Sequence, residues 1–165
     1  MSDCCAPADA AATATCPASN TQGRQVSLTT IAALLLTGTK ARLRPDWHYF
    51  FCPEPACPVV YYAADDDDTI TVSDLAVPVW QKSPHDPTVP VCYCFGHTAA
   101  SIAEELQRTG QSTVLAAITT KVKADLCACK TRNPQGTCCL GNVATVVRLA
   151  AKQAAVSPKE ISNGS

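Results

Sequence analysis

The sequence predicts an α+β fold, with strands in its first half and helices in its second. Three observations carry this. Residues 48–52 and 58–63 are rich in Tyr, Phe and Val, residues 83–90 hold three prolines, and apolar residues recur at helical spacing thereafter.

Residues 1–24 consist mainly of Ala, Thr, Ser and Cys with little pattern, and read as a flexible arm, at least before Cys16. Ser27 is placed to cap a short helix whose Leu28, Ile31, Ala32 and Leu35 share a face, with Gly38 as its stop. His48 to Cys52, Pro58 to Ala63 and Thr69 to Val72 read as three strands. The acidic run Asp65 to Asp68 lies between two of them. It lacks the alternating ligand spacing of a calcium loop, so a solvated hairpin turn is expected. Residues 83–90 read as a linker. Thr98 then caps a helix with Ala99, Ile102, Ala103 and Leu106 on one face, ending near Gly110. Ser112 caps a second, with Leu115, Ile118 and Val122 aligned. Leu140, Val143, Ala144, Val147 and Ala151 define a last one. The predicted organisation is an arm over 1–15, an α+β half over 16–84, a helical half over 85–156 and a disordered tail over 157–165.

The bulk properties exclude several function classes. Net charge is −1 and charged residues are 16%, so there is no basic excess for neutralising phosphates, and no nucleic-acid partner is expected. The longest aliphatic run, Ile31 to Leu36, is far short of a bilayer span, so no membrane partner is expected. The opening Met-Ser-Asp-Cys-Cys is not a secretory signal, which points to the cytoplasm. Aromatics are 5%, too few for a large aromatic core, and metal cross-links would compensate. A thiol oxidoreductase would need Cys-x-x-Cys on a βαβ frame, and neither is evident. Nor is a hydrolase triad or a phosphate loop.

The 11 cysteines dominate the chemistry. In a reducing compartment a dense cysteine set binds metal more often than it forms disulfides. The spacings agree, because Cys4-Cys5, Cys92-x-Cys94, Cys127-x-Cys129 and Cys138-Cys139 are poor disulfide partners sterically but good ligand pairs. In an extended segment Cys92 and Cys94 point the same way, which would let both grip one iron. An antiparallel helical pair returns the chain, so that Cys127, Cys129, Cys138 and Cys139 can meet them. The last cysteines directly precede a helix, whose N-terminus favours an anionic cluster. Thiolates suit zinc and iron–sulfur groups alike. In the first half, Cys52-x4-Cys57 is half of a zinc knuckle.

Two segments, Cys92-Tyr-Cys94-Phe-Gly and Cys129-Lys-Thr-Arg-Asn-Pro-Gln-Gly-Thr-Cys138-Cys139, resemble the N-terminal domain of CopZ-type copper chaperones, whose cluster half is similar to bacterioferritin-associated ferredoxin. Cys16-Pro, Gly23, Phe51-Cys52, Cys57 and Val59-Val60-Tyr61 extend the resemblance over roughly residues 16–150. It implies a small zinc-ribbon-like α/β half, a helical ferredoxin-like half, a [2Fe–2S] cluster, a mononuclear zinc ion (Zn2+) and redox work coupled to copper handling. The implied cluster ligands are Cys92, Cys94, Cys129 and one of Cys138 or Cys139, with Cys139 preferred because vicinal side chains diverge. Cys127 is an additional thiol, a spare ligand or a sign of a two-residue shift in register.

The implied zinc ligands are Cys16, Cys52 and Cys57. Ser19 stands where the family's Cys-Pro-x-Cys has its second cysteine. Structural zinc takes four ligands, which leaves Cys4, Cys5, His48 or an Asp as the fourth. Cys4-Cys5 is also suited to capturing Cu(I), Hg(II) or arsenite. His97 follows the Cys-Tyr-Cys segment and is read as a surface histidine or a Rieske-like ligand. His85 is assigned nothing. The family's full-length members add a ferredoxin-like copper domain with a Met-x-Cys-x-x-Cys loop, which is not found in these 165 residues. Copper would then need Cys4-Cys5 or a separate metallochaperone. Two functions are expected: a one-electron carrier working with a redox partner in heavy-metal homeostasis, or a non-redox module for zinc or thiophilic metals.

Overall fold

A computed structural model describes residues 12–156; the first part of the arm, with Cys4 and Cys5, and the tail from residue 157 lie outside the described residues. The described residues form an α+β fold. A five-stranded antiparallel sheet runs in the order β1 (Thr13–Thr15), β2 (Gln22–Val26), β3 (Tyr49–Phe51), β4 (Val59–Ala63), β5 (Thr69–Thr71). Helix α1 (Leu28–Leu34) connects β2 to β3. Its N-terminus is closed by the Ser27 hydroxyl, which accepts the Thr30 N–H at 3.3 Å. The helix stops at Leu35, before Gly38, because Leu35 turns extended and bridges to Leu75.

The arm reading fails at its C-terminal end. Residues 13–15 and 22–26 are strands β1 and β2, paired Thr13 to Arg24 and Thr15 to Gln22. Their side chains carry no alternating apolar signal. What holds them is the neighbouring strand β3, paired Arg24 to Phe51, and the Tyr62 phenol, which donates to the Ala14 carbonyl and accepts the Gly23 N–H.

Both sheet faces are covered. Tyr49, Phe51, Ala63 and Ile70 pack with Ile31 and Leu35 of α1, while Phe50, Cys52, Val59 and Tyr62 pack with Cys16 and Cys57 on the other side. This assignment follows the two-residue alternation of a strand. It breaks once, where a bulge between Val59 and Tyr61 turns Val60 and Tyr61 onto the same side.

In the second half a two-stranded hairpin, β6 (Pro90–Cys92) and β7 (His97–Thr98), leads into α2 (Ala99–Thr109), α3 (Val114–Lys123), the single turn α4 (Cys129–Arg132) and α5 (Leu140–Val156). The hairpin and α4 carry no sequence pattern that announces them. Thr98 caps α2 through the Ser101 N–H, and Gly110 ends it in the left-handed conformation at φ 75°. The cap of α3 differs from expectation. Thr113 is the capping position, and Glu105 of α2 accepts its N–H at 3.1 Å as well as the Ser112 hydroxyl at 2.9 Å. The buried seam of α5 is also displaced, running through Val143, Val146 and Ala150, with Ala151 exposed. Both stripes are apolar, and Cys139, packed with Val91 and Cys92, decides which faces Ile102, Leu106 and Ile118.

Residues 83–90 form hydrogen-bonded turns, with the Ala100 N–H donating to the Pro87 carbonyl at 3.0 Å. Contacts also cross between the sheet and the helices. α1 packs on α4, and the buried Tyr61 hydroxyl donates to the Pro134 carbonyl at 2.6 Å. Among the described residues, no helix is long and apolar enough to cross a membrane.

Candidate metal centres

The first cysteine group is built on the sheet. Cys16 follows β1 and opens a tight loop closed by Cys16 N–H to Thr21 O and Asn20 N–H to Cys16 O, both 2.9 Å, with Asn20 left-handed at φ 57°. Cys52 follows β3 and is fixed by its N–H to Val60 O at 2.9 Å, and Cys57 returns on a turn whose N–H reaches Glu54 O at 3.2 Å. The three sulfurs all lie within 4.8 Å of one another, and all three residues are buried. The edge of a tetrahedron with Zn–S bonds of about 2.3 Å is about 3.8 Å, so the spacing suits one zinc-sized ion.

Their electrostatics have the same origin. Burial opposes ionisation of Cys16, but the Ser19 hydroxyl, the amides of Ala18 and Ser19, and Cys52 outweigh it, so the thiol is held below its ordinary range. Burial, together with Cys52 and Cys16, pushes Cys57 up. Three buried sulfurs cannot all ionise side by side without a cation, and a bound cation removes that penalty.

Ser19 faces this group, its hydroxyl 3.4 Å from Cys52 Sγ. His48 does not. It is exposed, and its backbone N–H and Nδ1 bind Asp65 at 2.6 and 3.2 Å. The acidic run is likewise committed locally, with Asp68 paired to Arg42 at 2.8 Å, as expected of a turn.

The second group gathers at the hairpin, α4 and the start of α5. Cys94 and Cys129 sulfurs lie 3.6 Å apart. Cys139 hydrogen-bonds both Cys92 and Cys129. The hydrogen-bonded thiols are therefore Cys94 with Cys129, and Cys139 with Cys129 and Cys92. The extended reading of the segment from Cys92 to Cys94 fails because the chain turns after Cys92, whose carbonyl accepts the Gly96 N–H at 2.9 Å. Cys92, Cys129 and Cys139 are buried, and Cys94, Cys127 and Cys138 are half-buried.

These thiols divide the charge unequally. The Cys139 hydrogen bond lowers Cys92 against its burial. The hydrogen bond with Cys129, then burial, raises Cys94 despite the Ala128 N–H, which donates to its sulfur at 3.2 Å, and despite Arg132. Hydrogen bonding to Cys139 pushes Cys129 up to about 12. Cys139 is lowered by Cys129 but raised more by Cys92 and burial. His97 pairs across the hairpin with Cys92; its Nε2 is buried without a hydrogen-bond partner among the described residues, and burial lowers its pKa.

A turn without regular structure orients Cys138 and Cys139. Asn133, 1% exposed, donates through Nδ2 to Thr137 O at 2.7 Å and accepts the Gln135 N–H at 3.1 Å. Gly136 adopts φ 69°, and Asn142 of α5 holds Gln135 at 2.7 Å. The organising side chains Asn133, Tyr61 and Ser19 escape a search for ligands. Only the Asn-Pro-Gln-Gly string and the serine in a cysteine's place signal them.

Comparison with known proteins follows this geometry. Residues 13–76 match the family model for a CopZ zinc binding domain. Among solved structures, the N-terminal domain of CopZ from Archaeoglobus fulgidus is similar, with a TM-score of 0.68 and 26% sequence identity over 81% of this chain and 97% of that one. No curated protein matches. The chain thus carries a CopZ-like zinc-binding region and a buried three-cysteine site within an α+β fold.

Proposed function

We propose that this chain is a cytoplasmic protein that binds zinc at Cys16, Cys52 and Cys57 and a [2Fe–2S] cluster at Cys92, Cys94, Cys129 and Cys139. Its role is one-electron transfer in the homeostasis of copper or another heavy metal. Residues 16–84, with strand β1 at 13–15, form the zinc half and 85–156 the bacterioferritin-associated-ferredoxin-like cluster half. The observation that carries this reading is the run of pairwise thiol contacts from Cys94 to Cys129, 3.6 Å apart, on to Cys139 and then to Cys92. The likeness to the Archaeoglobus CopZ domain over 81% of this chain supports a CopZ-like fold and metal binding.

A [2Fe–2S] group, when bound, supplies a single electron at a potential set by hydrogen bonds and nearby charge. The Ala128 N–H on Cys94 Sγ and the nearby Arg132 charge are the terms this chain would contribute. Delivery to a metal ion needs a redox partner or a separate metallochaperone. The second reading is a non-redox zinc or thiophilic-metal module, favoured by the compact Cys16–Cys52–Cys57 group alone.

The test is EPR of dithionite-reduced cysteine variants purified without oxygen. Cys92→Ala, Cys94→Ala, Cys129→Ala and Cys139→Ala should each lose the rhombic signal, because the cluster takes four protein ligands. Cys127→Ala and Cys138→Ala should keep it. Loss in Cys127→Ala with a normal signal in Cys129→Ala would move the register by two residues. Absence of any signal in the wild type would leave the non-redox module.

A further inference from the structure

Zinc held structurally is closed by four protein ligands, and sites that keep an open position exchange what they bind there. In the sheet-borne centre three corners are cysteine sulfurs within 4.8 Å of one another. Among the described residues no fourth thiol joins them. The Ser19 hydroxyl stands 3.4 Å from Cys52 Sγ and also hydrogen-bonds Cys16. It accepts the Thr21 N–H at 3.4 Å, which keeps it at that edge of the group. A neutral hydroxyl at this range supports thiolates by hydrogen bonding without replacing a ligand. Cys16, Cys52 and Cys57 are buried, whereas Pro17 and Ala18 are exposed and Ser19 is half-buried, so the loop that carries Ser19 lies at the surface beside the group. His48, whose imidazole is the nearest in sequence to Cys52, is bound to Asp65.

We propose that this centre is a three-thiolate site whose fourth position, beside Ser19, is open, so that it exchanges zinc for thiophilic ions that are satisfied by three sulfur ligands. The proposal rests on the reading of Cys16, Cys52 and Cys57 as metal ligands. Soft thiolates select soft ions, and zinc on three sulfurs must complete its four-coordination with an exchangeable ligand from solvent. Trivalent arsenic forms three bonds and needs no fourth. With arsenite as the incoming species, three As–O bonds break and three As–S bonds form. The released zinc leaves as the divalent ion, and three protons from solvent join the three hydroxides as water. No oxidation state changes.

The experiment titrates arsenite into zinc-loaded full-length protein under anaerobic conditions, reading released zinc with a chromogenic chelator and bound arsenic by mass. The wild type should release one zinc per chain. Ser19→Cys, which places a fourth sulfur on the same edge, should need more than about tenfold more arsenite, since even groups outside the ligand shell change metal affinity on that scale. Ser19→Ala should still hold one zinc per chain, bound more weakly for want of the hydroxyl's hydrogen bonds to the sulfurs, and Cys52→Ser should bind one arsenic fewer per chain. Three results overturn the proposal: equal resistance in wild type and Ser19→Cys, loss of zinc in Ser19→Ala, which makes the hydroxyl a ligand, or loss in Cys4→Ser/Cys5→Ser, which makes the arm the fourth donor. A wild type that takes up no zinc refutes the zinc reading instead; one arsenic fewer in Cys52→Ser then still supports the three-thiolate site, and an unchanged arsenic count refutes it.

Discussion

Gly23 shows how a residue that offers no ligand atom helps decide where a cysteine sits. A Cβ at this position would collide with the Phe51 carbonyl and meet the Tyr62 hydroxyl. That hydroxyl crosses the sheet to accept the Gly23 N–H at 3.0 Å and donate to Ala14 O at 2.5 Å, holding β1 and hence Cys16. Burial raises Tyr62 to about 12, so the phenol stays protonated and able to donate. Gly23→Ala should therefore cost about 3 kcal/mol, the upper end for overpacking, because one obstacle is backbone. Tyr61→Phe should cost about 1 kcal/mol, the worth of its hydrogen bond to Pro134 O. Urea denaturation of the two variants checks the order; a Gly23→Ala loss smaller than that of Tyr61→Phe would contradict this account of β1.

At the scale of elements, α2 and α3 are joined by a carboxylate. Glu105 accepts from the side chain and the N–H of Thr113, and from Ser112, and these bonds hold it below the usual carboxylate range. Because its folded pKa is depressed, its contribution is fully present above the unfolded value of about 4.3 and is lost as pH falls through the folded one. Glu105→Gln should thus lower the melting temperature at pH 7, with the gap from wild type closing as pH falls below about 4. A gap that does not change with pH would mean that the contact is only steric. Sequence periodicity cannot announce this cap, because donor and acceptor lie on different helices. It does announce β3 and β4, whose Tyr, Phe and Val runs are buried throughout. It misses β1 and β2, whose Thr, Gln and Arg side chains are mostly exposed and whose order comes from neighbours. It misplaces the seam of α5 because Ala and Val line two faces of that helix. Spacing alone puts Cys92, Cys94, Cys129 and Cys139 in one half of the chain, yet it does not give their contacts, since the chain turns after Cys92 and the Cys94 sulfur lies against Cys129.

At the scale of the whole molecule, the two cysteine groups share one frame. Tyr61, beside the bulge of β4, holds the turn that carries Cys138 and Cys139, while Cys52 binds the next residue, Val60, through its N–H. α1 packs on α4, which begins with Cys129. The central claim is that this frame holds two chemically different centres, one zinc and one [2Fe–2S]. The most direct measurement is iron, acid-labile sulfide and zinc assayed on one sample of protein purified without oxygen, alongside its visible spectrum. The account predicts a brown protein with about two irons, about two sulfides and about one zinc per chain. A colourless, iron-free protein carrying zinc in both cysteine groups would contradict it.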